Sequence, residues 1–502
     1  MNRVVITGFG AVTAFGKDWP TVRARMLRYE NAVRAMPEWR DVEDLSAKLA
    51  APIDGYAPPA HWTRKQLRSL GPVSQMCVEA GERALADAGL LGDPSIRDGR
   101  MGVASGSSTG STRDICDMAK LIMDGRSDGF SANTYIRMMP HTTAANLAIF
   151  FGLQGRLIPT SSACTSGSQA IGYAYEAIRF GLIPMMLAGG GEELCHSEVC
   201  VFDSLYTASL KNDAPKTTPA PYDRDRDGLV IGEGAGMLVL ESLASAQARE
   251  ARIYAEIIGF ASNCDGTHVT RPEQATMYRC MAMALEQAGI APEAVGYVSG
   301  HGTATEQGDI AETQATARLF PRGVPLSSQK SYFGHTLGAC GVLESWFAVE
   351  MMRDGLFMPT LNLRHVDERC GQVDFIRDEA RAIDTEVVMN NNFAFGGVNT
   401  SLIFKRWREY RAPLPKPPAV AVFLWMQGGC GINTGVVKRR QYRVCRDTCN
   451  VSIPNIHCHS IAKRDKAWAC AMHAGQTVTQ ADWAASRGSG TILSCSRVCS
   501  SI

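Results

Sequence analysis

Through the first 410 residues, short apolar runs alternate with stretches whose apolar positions recur every three or four residues. Short runs bounded by glycine predict buried strands, and the three-four spacing predicts helices. Val4-Val5-Ile6-Thr7 is the first strand and ends in the turn Gly8-Phe9-Gly10. Residues 73–90 read as a helix closing at Asp87-Ala88-Gly89. Met101-Gly102-Val103-Ala104 reads as a strand running into the flexible Ser105-Gly106-Ser107-Ser108-Thr109-Gly110. A strand-like run at 155–158 leads to Cys164, and Ile171, Tyr175 and Ile178 then share one helical face. The strand 185–188 leads into Gly189-Gly190-Gly191-Glu192-Glu193. A second series follows: strand 253–260, helix 276–288, strand 295–298, helix 309–319 and strand 324–327. Alternation of this kind predicts an α/β fold of parallel sheets covered by helices. The two series predict two similar halves, 1–250 and 251–410, although no repeat in the sequence itself demonstrates a duplication.

Composition changes the picture at one place. The chain has 502 residues, 45% apolar and 20% charged, as globular proteins do. Residues 411–502 hold 12 Lys/Arg against 3 Asp/Glu, whereas the whole chain carries only +1. Seven of the 16 cysteines also fall there. The Pro-rich stretch Arg411 to Pro418 therefore marks a boundary, and 411–502 is expected to be a dispensable, disordered or out-of-frame tail. Its Cys445, Cys449, His457, Cys458 and His459 fit no ordinary zinc spacing, so no metal site is expected. No basic segment followed by an apolar one opens the chain, and no apolar run approaches the ~18 residues of a membrane span. A cytoplasmic protein with reduced thiols is expected, with no nucleic-acid partner and no membrane span.

Four stretches carry chemistry. Cys164 sits in Thr160-Ser161-Ser162-Ala163-Cys164-Thr165-Ser166, at a strand-to-helix junction where free N–H groups favour negative charge. That position predicts a lowered thiol pKa and a nucleophile, with a buried structural thiol as the other reading. In Gly300-His301-Gly302-Thr303-Ala304-Thr305, glycines flanking the histidine predict a sharp turn and an accessible ring. Lys330 stands five residues before His335, in a segment that runs on into a helix with Glu344. Asn390-Asn391-Asn392-Phe393-Ala394-Phe395-Gly396-Gly397-Val398-Asn399 reads as a Gly/Asn-rich turn. Taken singly, each also has a structural explanation.

In that order the four stretches resemble the β-ketoacyl-acyl carrier protein synthases, condensing enzymes of the thiolase superfamily. The resemblance covers about residues 1–407 and includes Gly189 to Cys195, Tyr222-Asp223-x-x-Arg226-Asp227-Gly228 and Gly232-Glu233-Gly234-Ala235-Gly236. It lies with the bacterial elongating enzymes of types I and II, and the wording around Cys164 leans to type I. It implies a thiolase-like fold of two α/β halves, each with a sheet between helices. It also implies decarboxylative condensation of malonyl-acyl carrier protein with an acyl group on Cys164, in fatty acid or specialised polyene or polyketide elongation.

The resemblance further implies a role for each residue. Cys164 accepts the acyl chain, and His301 and His335 stabilise the enolate, each with its proton on the substrate-facing nitrogen. The backbone N–H groups of Cys164 and Phe395 form an oxyanion hole. Lys330 and Glu344 support the histidines, or else form a purely structural ion pair. Thr303 and Thr305 hold the phosphopantetheine arm, and Phe393 and Phe395 form a gate. No cofactor is implied beyond the carrier's phosphopantetheine, and the partners are acyl carrier protein and a second copy or a related subunit. Three departures stand out: Ala394 where the family usually has glycine, Glu306-Gln307 after Thr305, and the segment Tyr135 to His141. The last falls where acyl-pocket and dimer contacts are expected and points to a changed chain preference. A non-catalytic partner subunit of the chain-length-factor kind would have lost the cysteine. A thiolase would use coenzyme A thioesters, a second catalytic cysteine and one histidine.

Overall fold

In the computed structural model, which describes residues 1–408, one mixed sheet of eleven strands runs through the molecule. Its strands are β1 (Val4–Val12), β2 (Met101–Gly106), β3 (Leu157–Pro159), β4 (Met185–Glu192) and β5 (Gly234–Ser242) from the first half of the chain. The second half supplies β6 (Ala255–Cys264), β7 (Tyr297–Ser299), β8 (Pro325–Ser327), β9 (Asp374–Phe375), β10 (Val387–Ala394) and β11 (Val398–Arg406). The order across the sheet is β9-β8-β7-β10-β11-β6-β1-β5-β4-β2-β3.

That order contains the duplication that the sequence does not display. The first half runs β3-β2-β4-β5-β1 and the second β8-β7-β10-β11-β6, the same arrangement in chain order. The pairings match as well: β2 is parallel to β3 and β4, and β7 to β8 and β10. In both five-strand runs the remaining pairs are antiparallel, and the extra edge strand β9 is parallel to β8. The halves join where β1 pairs antiparallel with β6, Val4 opposite Ile257 and Val5 opposite Glu256. The two sheets expected from the alternation are thus one hydrogen-bonded sheet.

Six helices position the site: α1 (Pro72–Asp87), α2 (Ser166–Arg179), α3 (His196–Asp203), α4 (Gln274–Ala288), α5 (Glu306–Leu319) and α6 (Cys340–Asp354). Helix α2 follows β3, and α6 follows β8 in the equivalent place. Ile171, Tyr175 and Ile178 are fully buried in one apolar cluster with Val342, Phe347 and the β6 residue Phe260. Helices α2 and α6 therefore form a middle layer shared by both halves. Burying each such side chain stabilises the fold by roughly 1.5–3 kcal/mol. Helix α1 packs with Leu187 and Met237 on one outer face, and α4 packs with α5 residues Ala311 and Ala315 on the other.

Two stretches not expected as strands are strands. Gly189-Gly190-Gly191-Glu192 continues β4, and a Cβ on Gly189 would come within 2.0 Å of the Gly236 carbonyl oxygen. These glycines permit close backbone approach rather than a turn. Likewise Asn390, Asn391 and Asn392 lie fully buried in β10, and only Phe395-Gly396-Gly397 turns, with φ of +83° and +72° at the two glycines. Among the described residues no helix is long and apolar enough to cross a membrane. The expectations for 411–502 lie outside the described residues.

Candidate active site

The catalytic candidates all come from loops at the carboxyl ends of parallel strands β3, β7, β8 and β10, where open α/β sheets place their ligand sites. After β3 the chain turns sharply through Ala163, whose φ is +51°, into a tight helical turn Ala163–Thr165 that continues as α2. Small hydroxyl residues hold this turn. Ser166 Oγ donates to the Ala163 carbonyl at 2.7 Å, Thr165 Oγ1 to the Ser162 carbonyl at 2.8 Å, and Ser161 Oγ to the Ser107 carbonyl at 2.8 Å. A left-handed alanine costs about 1–2 kcal/mol, and it is tolerated because those bonds over-determine the turn.

The three loops converge. His335 Nε2 lies 2.9 Å from Cys164 Sγ. The His301 and His335 rings stand at 88° with centroids 5.2 Å apart. Cys164, His301 and His335 are 5%, 7% and 2% exposed. They line a cavity of about 440 Å³ together with Thr303, Thr305, Arg271 and Phe393. The histidine expected to be accessible is thus buried, with the cavity against it.

The glycines around His301 have a different cause from a sharp turn. A Cβ on Gly300 or Gly302 would lie 2.4 or 2.3 Å from the Tyr222 hydroxyl, and the left-handed residue of the loop is Ala304, at φ +65°. The buried Glu312 carboxylate accepts from the N–H of His301 at 2.5 Å and of Gly302 at 2.8 Å, and from Tyr222 Oη at 3.2 Å. Asp309 accepts the Thr303 N–H at 3.0 Å and is paired with the buried Arg226. Burial raises these acids, to about 7 for Glu312 and about 6 for Asp309, against the N–H groups and cations around them.

Lys330 Nζ meets Glu344 Oε1 at 2.5 Å, both side chains being buried. The pair is connected to the site. Asn392 Nδ2 donates to Glu344 Oε2 at 2.8 Å and lies 3.5 Å from His301 Nδ1, while Asn390 Nδ2 donates to Asn392 Oδ1 at 3.2 Å. This chain orients the Asn392 amide so that His301 Nδ1 faces an N–H and is the acceptor nitrogen, leaving the proton on Nε2. His335 Nδ1 is buried without a partner among the described residues. An unpaired acceptor is tolerated more readily than an unpaired N–H, which again favours the Nε2 proton.

Electrostatics correct one expectation. Burial pushes the Cys164 thiol up to about 12, although the Lys330 charge and the N–H groups of Cys164 and Phe395 pull it down. Desolvation outweighs the helix start in the closed pocket, so the resting group is a thiol. Burial, followed by the Lys330 charge, drives both histidines well below their usual value, so each is a neutral imidazole near pH 7.

Phe393 is buried against His301, with ring centroids 6.1 Å apart, and Phe395 at the hairpin tip packs on Phe202 of α3 at 5.2 Å. Ala394 ends β10 before that tip, so the two left-handed glycines follow Phe395 rather than precede it. Thr303 and Thr305 share a hydrogen bond of 2.9 Å on the cavity wall. Phe395 contributes its N–H beside Cys164 Sγ, as the Cys164 N–H also does.

The sequence reading missed Glu312, Asp309, Tyr222, Arg226 and Asn392 as supports of the site. Asp309 and Glu312 lie one turn apart on α5, a signal indistinguishable from an ordinary solvated helix face until Tyr222 and Arg226 are brought against it. It also missed Cys340, a second buried thiol that donates to the Cys164 carbonyl at 3.2 Å. The ligand atoms of Cys164, His301 and His335 lie within 4.8 Å of one another, as do those of His301, Cys340 and Glu344. That spacing would admit a soft cation, but the Lys330 ammonium beside them opposes one.

Comparison with known proteins adds the following. Family models described as the N-terminal and C-terminal domains of β-ketoacyl synthase match residues 1–246 and 254–364. The 3-oxoacyl-[acyl-carrier-protein] synthase 2 of Rhizobium meliloti is 37% identical over 421 residues, covering 81% of this chain and 99% of its own. The protein of the same name from Vibrio cholerae is 36% identical, with the same coverage. A crystal structure of a β-ketoacyl synthase from Burkholderia phymatum matches with a TM-score of 0.81 and 56% identity, over 81% of this chain and all of that one. The ishigamide ketosynthase/chain length factor matches with a TM-score of 0.75 at 28% identity, with the same coverage.

Proposed function

The chain belongs to the β-ketoacyl synthase family, and we propose that Cys164, His301 and His335 divide its chemistry between them. It is a condensing acyltransferase that forms 3-oxoacyl-acyl carrier protein by decarboxylative Claisen condensation. Its two-half architecture is that of the ketosynthase fold.

In the first step, Cys164 Sγ attacks the carbonyl carbon of an acyl thioester. A new C–S bond forms, the bond to the carrier's sulfur breaks, and the thiol proton passes to that leaving sulfur. The N–H groups of Cys164 and Phe395 stabilise the oxyanion. In the second step, malonyl thioester enters the same channel and loses CO2. The electron pair of the broken C–C bond becomes an enolate, and the Nε2–H groups of His301 and His335 donate to its oxygen. Neutral imidazoles suit this task, because they donate a hydrogen bond without surrendering the proton. The enolate carbon then attacks the acyl carbon on Cys164, a C–C bond forms and the thiolate leaves.

Lys330, Glu344 and Asn392 orient His301, and Glu312 fixes its backbone. Thr303 and Thr305 bind the amides of the phosphopantetheine arm, and the parting of Phe395 from Phe202 opens the acyl side. Both reactants are thioesters on the carrier, so we propose no cofactor beyond the carrier's own arm. Strand β3 is an outer edge of the sheet, with exposed Leu157 on it and exposed Ile149 on the helix packed against it. Pairing of this edge with a second copy is the dimer we propose, since a bare apolar edge invites such pairing.

The observation that carries this reading is the convergence of the thiol and both imidazoles at one buried point. The test is incubation with acyl-acyl carrier protein, which should add the acyl mass to the peptide containing Cys164. An unmodified Cys164 with normal carrier binding would favour the partner-subunit reading.

A further inference from the structure

The cavity that Cys164, Thr303 and Thr305 line is also lined by Phe202 of α3. Phe202 and Val199 of that helix lie in one apolar cluster with Cys164. One turn back on the Phe202 face is Glu198. It is 4% exposed, and Thr109 Oγ1 donates to its Oε1 at 3.0 Å. Its other oxygen, Oε2, is buried without a partner among the described residues. Glu198 does not cap its helix, whose N-cap residue is Cys195 with no side-chain cap bond. Thr109 also lies 3.4 Å from the fully buried Glu192. Glu192 Oε2 in turn accepts Ser108 N–H at 2.7 Å, Ser108 Oγ at 2.5 Å and Gly338 N–H at 3.0 Å.

Given the condensing reading above, the thioester arm occupies the Thr303–Thr305 side. The acyl group on Cys164 has to leave on the other side, past the Phe202–Phe395 pair and along the α3 face. We infer that this chain ends against Glu198, and that the preferred substrate is an acyl group bearing a hydroxyl, keto or phenolic oxygen that pairs with Oε2. A methyl end would leave the carboxyl oxygen buried and unpaired, which is costly, whereas an oxygenated end satisfies it. Burial raises the Glu198 carboxyl well above its usual range, and the neighbouring Glu192 raises it further, which favours the protonated form and an O–H at this site. Discrimination of this kind is strong because the buried polar group penalises the analogue that lacks its partner.

The test uses the whole protein with pairs of acyl-acyl carrier proteins matched in length, one ending in methyl and the other in hydroxyl. A hydroxyaryl thioester serves as a third arm, to separate aliphatic from aromatic oxygen. The readout is the rate at which the acyl mass accumulates on Cys164. An oxygenated chain should acylate roughly tenfold faster, as one extra hydrogen bond to a buried group allows. Glu198→Leu should reverse that preference, Glu198→Gln should keep part of it, and Thr109→Val, which removes only the donor to Oε1, should weaken it. Equal or faster acylation by methyl-ended chains overturns the inference, as does an unchanged preference in folded Glu198→Leu or Thr109→Val. If no thioester of either kind labels Cys164, the condensing reading itself fails and the inference falls with it.

Discussion

His335 Nε2 stands 2.9 Å from Cys164 Sγ, and the two residues occupy equivalent connections of the two halves, β8 to α6 and β3 to α2. The duplicated topology thus brings two copies of one loop face to face and gives them different chemistry, a thiol in one and an imidazole in the other.

Replacing Cys164 separates the two steps. Cys164→Ala should abolish acyl labelling and reduce condensation by at least about 10³-fold. Slow CO2 release from malonyl-acyl carrier protein should persist, because both imidazoles remain. Intact-mass analysis and CO2 trapping measure the two; loss of decarboxylation in a folded variant would contradict the division of roles.

Asn392 tests whether the Lys330–Glu344 pair acts on the chemistry. Asn392→Ala cuts the link from Glu344 to His301. Decarboxylation should fall by about 10–100-fold while the rate of Cys164 acylation stays within about threefold. Equal losses in both steps would mark the network as purely structural.

Glu312 positions the His301 backbone through two N–H groups. Glu312→Gln keeps the shape but leaves one acceptor oxygen for the two N–H groups, and should lower kcat by about tenfold with little change in KM and cost about 1–3 kcal/mol of stability. Steady-state kinetics and a denaturant titration give the two numbers.

The histidines set a pH signature. Both are held well below the usual 6.5 by burial and then by Lys330. The unfolded chain takes up protons near 6.5 that the native protein does not. Their contribution to stability is therefore intact above that pH and is lost as pH falls below it. His301→Gln should flatten this acid-side slope relative to the unsubstituted protein. The comparison with the variant is needed because Glu192 and Glu312, raised to about 7 by burial, act in the opposite direction. The rate of decarboxylation should show no inflection near 6.5, and one that disappears in His301→Gln would refute the neutral-imidazole account.

Gly189 tests the packing of β4 against β5. Gly189→Ala places a methyl 2.0 Å from the Gly236 carbonyl oxygen, in backbone that cannot give way locally. A loss of about 3 kcal/mol or more is expected, read as a lowered Tm.

Sequence alone determined the alternation of strands and helices and the family, and it singled out Cys164, His301 and His335 as the candidates. These depend on local spacing and on short motifs whose order along the chain is itself information. The helix face of Ile171, Tyr175 and Ile178 was legible for the same reason, since its periodicity is local. Only the tertiary structure decided that the two halves share one sheet, because the β1–β6 pairing joins residues some 250 positions apart through backbone groups common to every sequence. It also decided why Gly189, Gly300 and Gly302 are glycines, since each is dictated by an atom of a distant segment rather than by its own φ. The Glu344–Asn392–His301 link, the Glu312 cradle and the orphaned Glu198 oxygen were hidden likewise. In a sequence, a carboxylate inside a helix reads as solvated, and only packing reveals that it is buried and what it faces. The same applies to Cys164: its place at a helix start favours the thiolate, but the surroundings that fold over it remove water and leave the thiol.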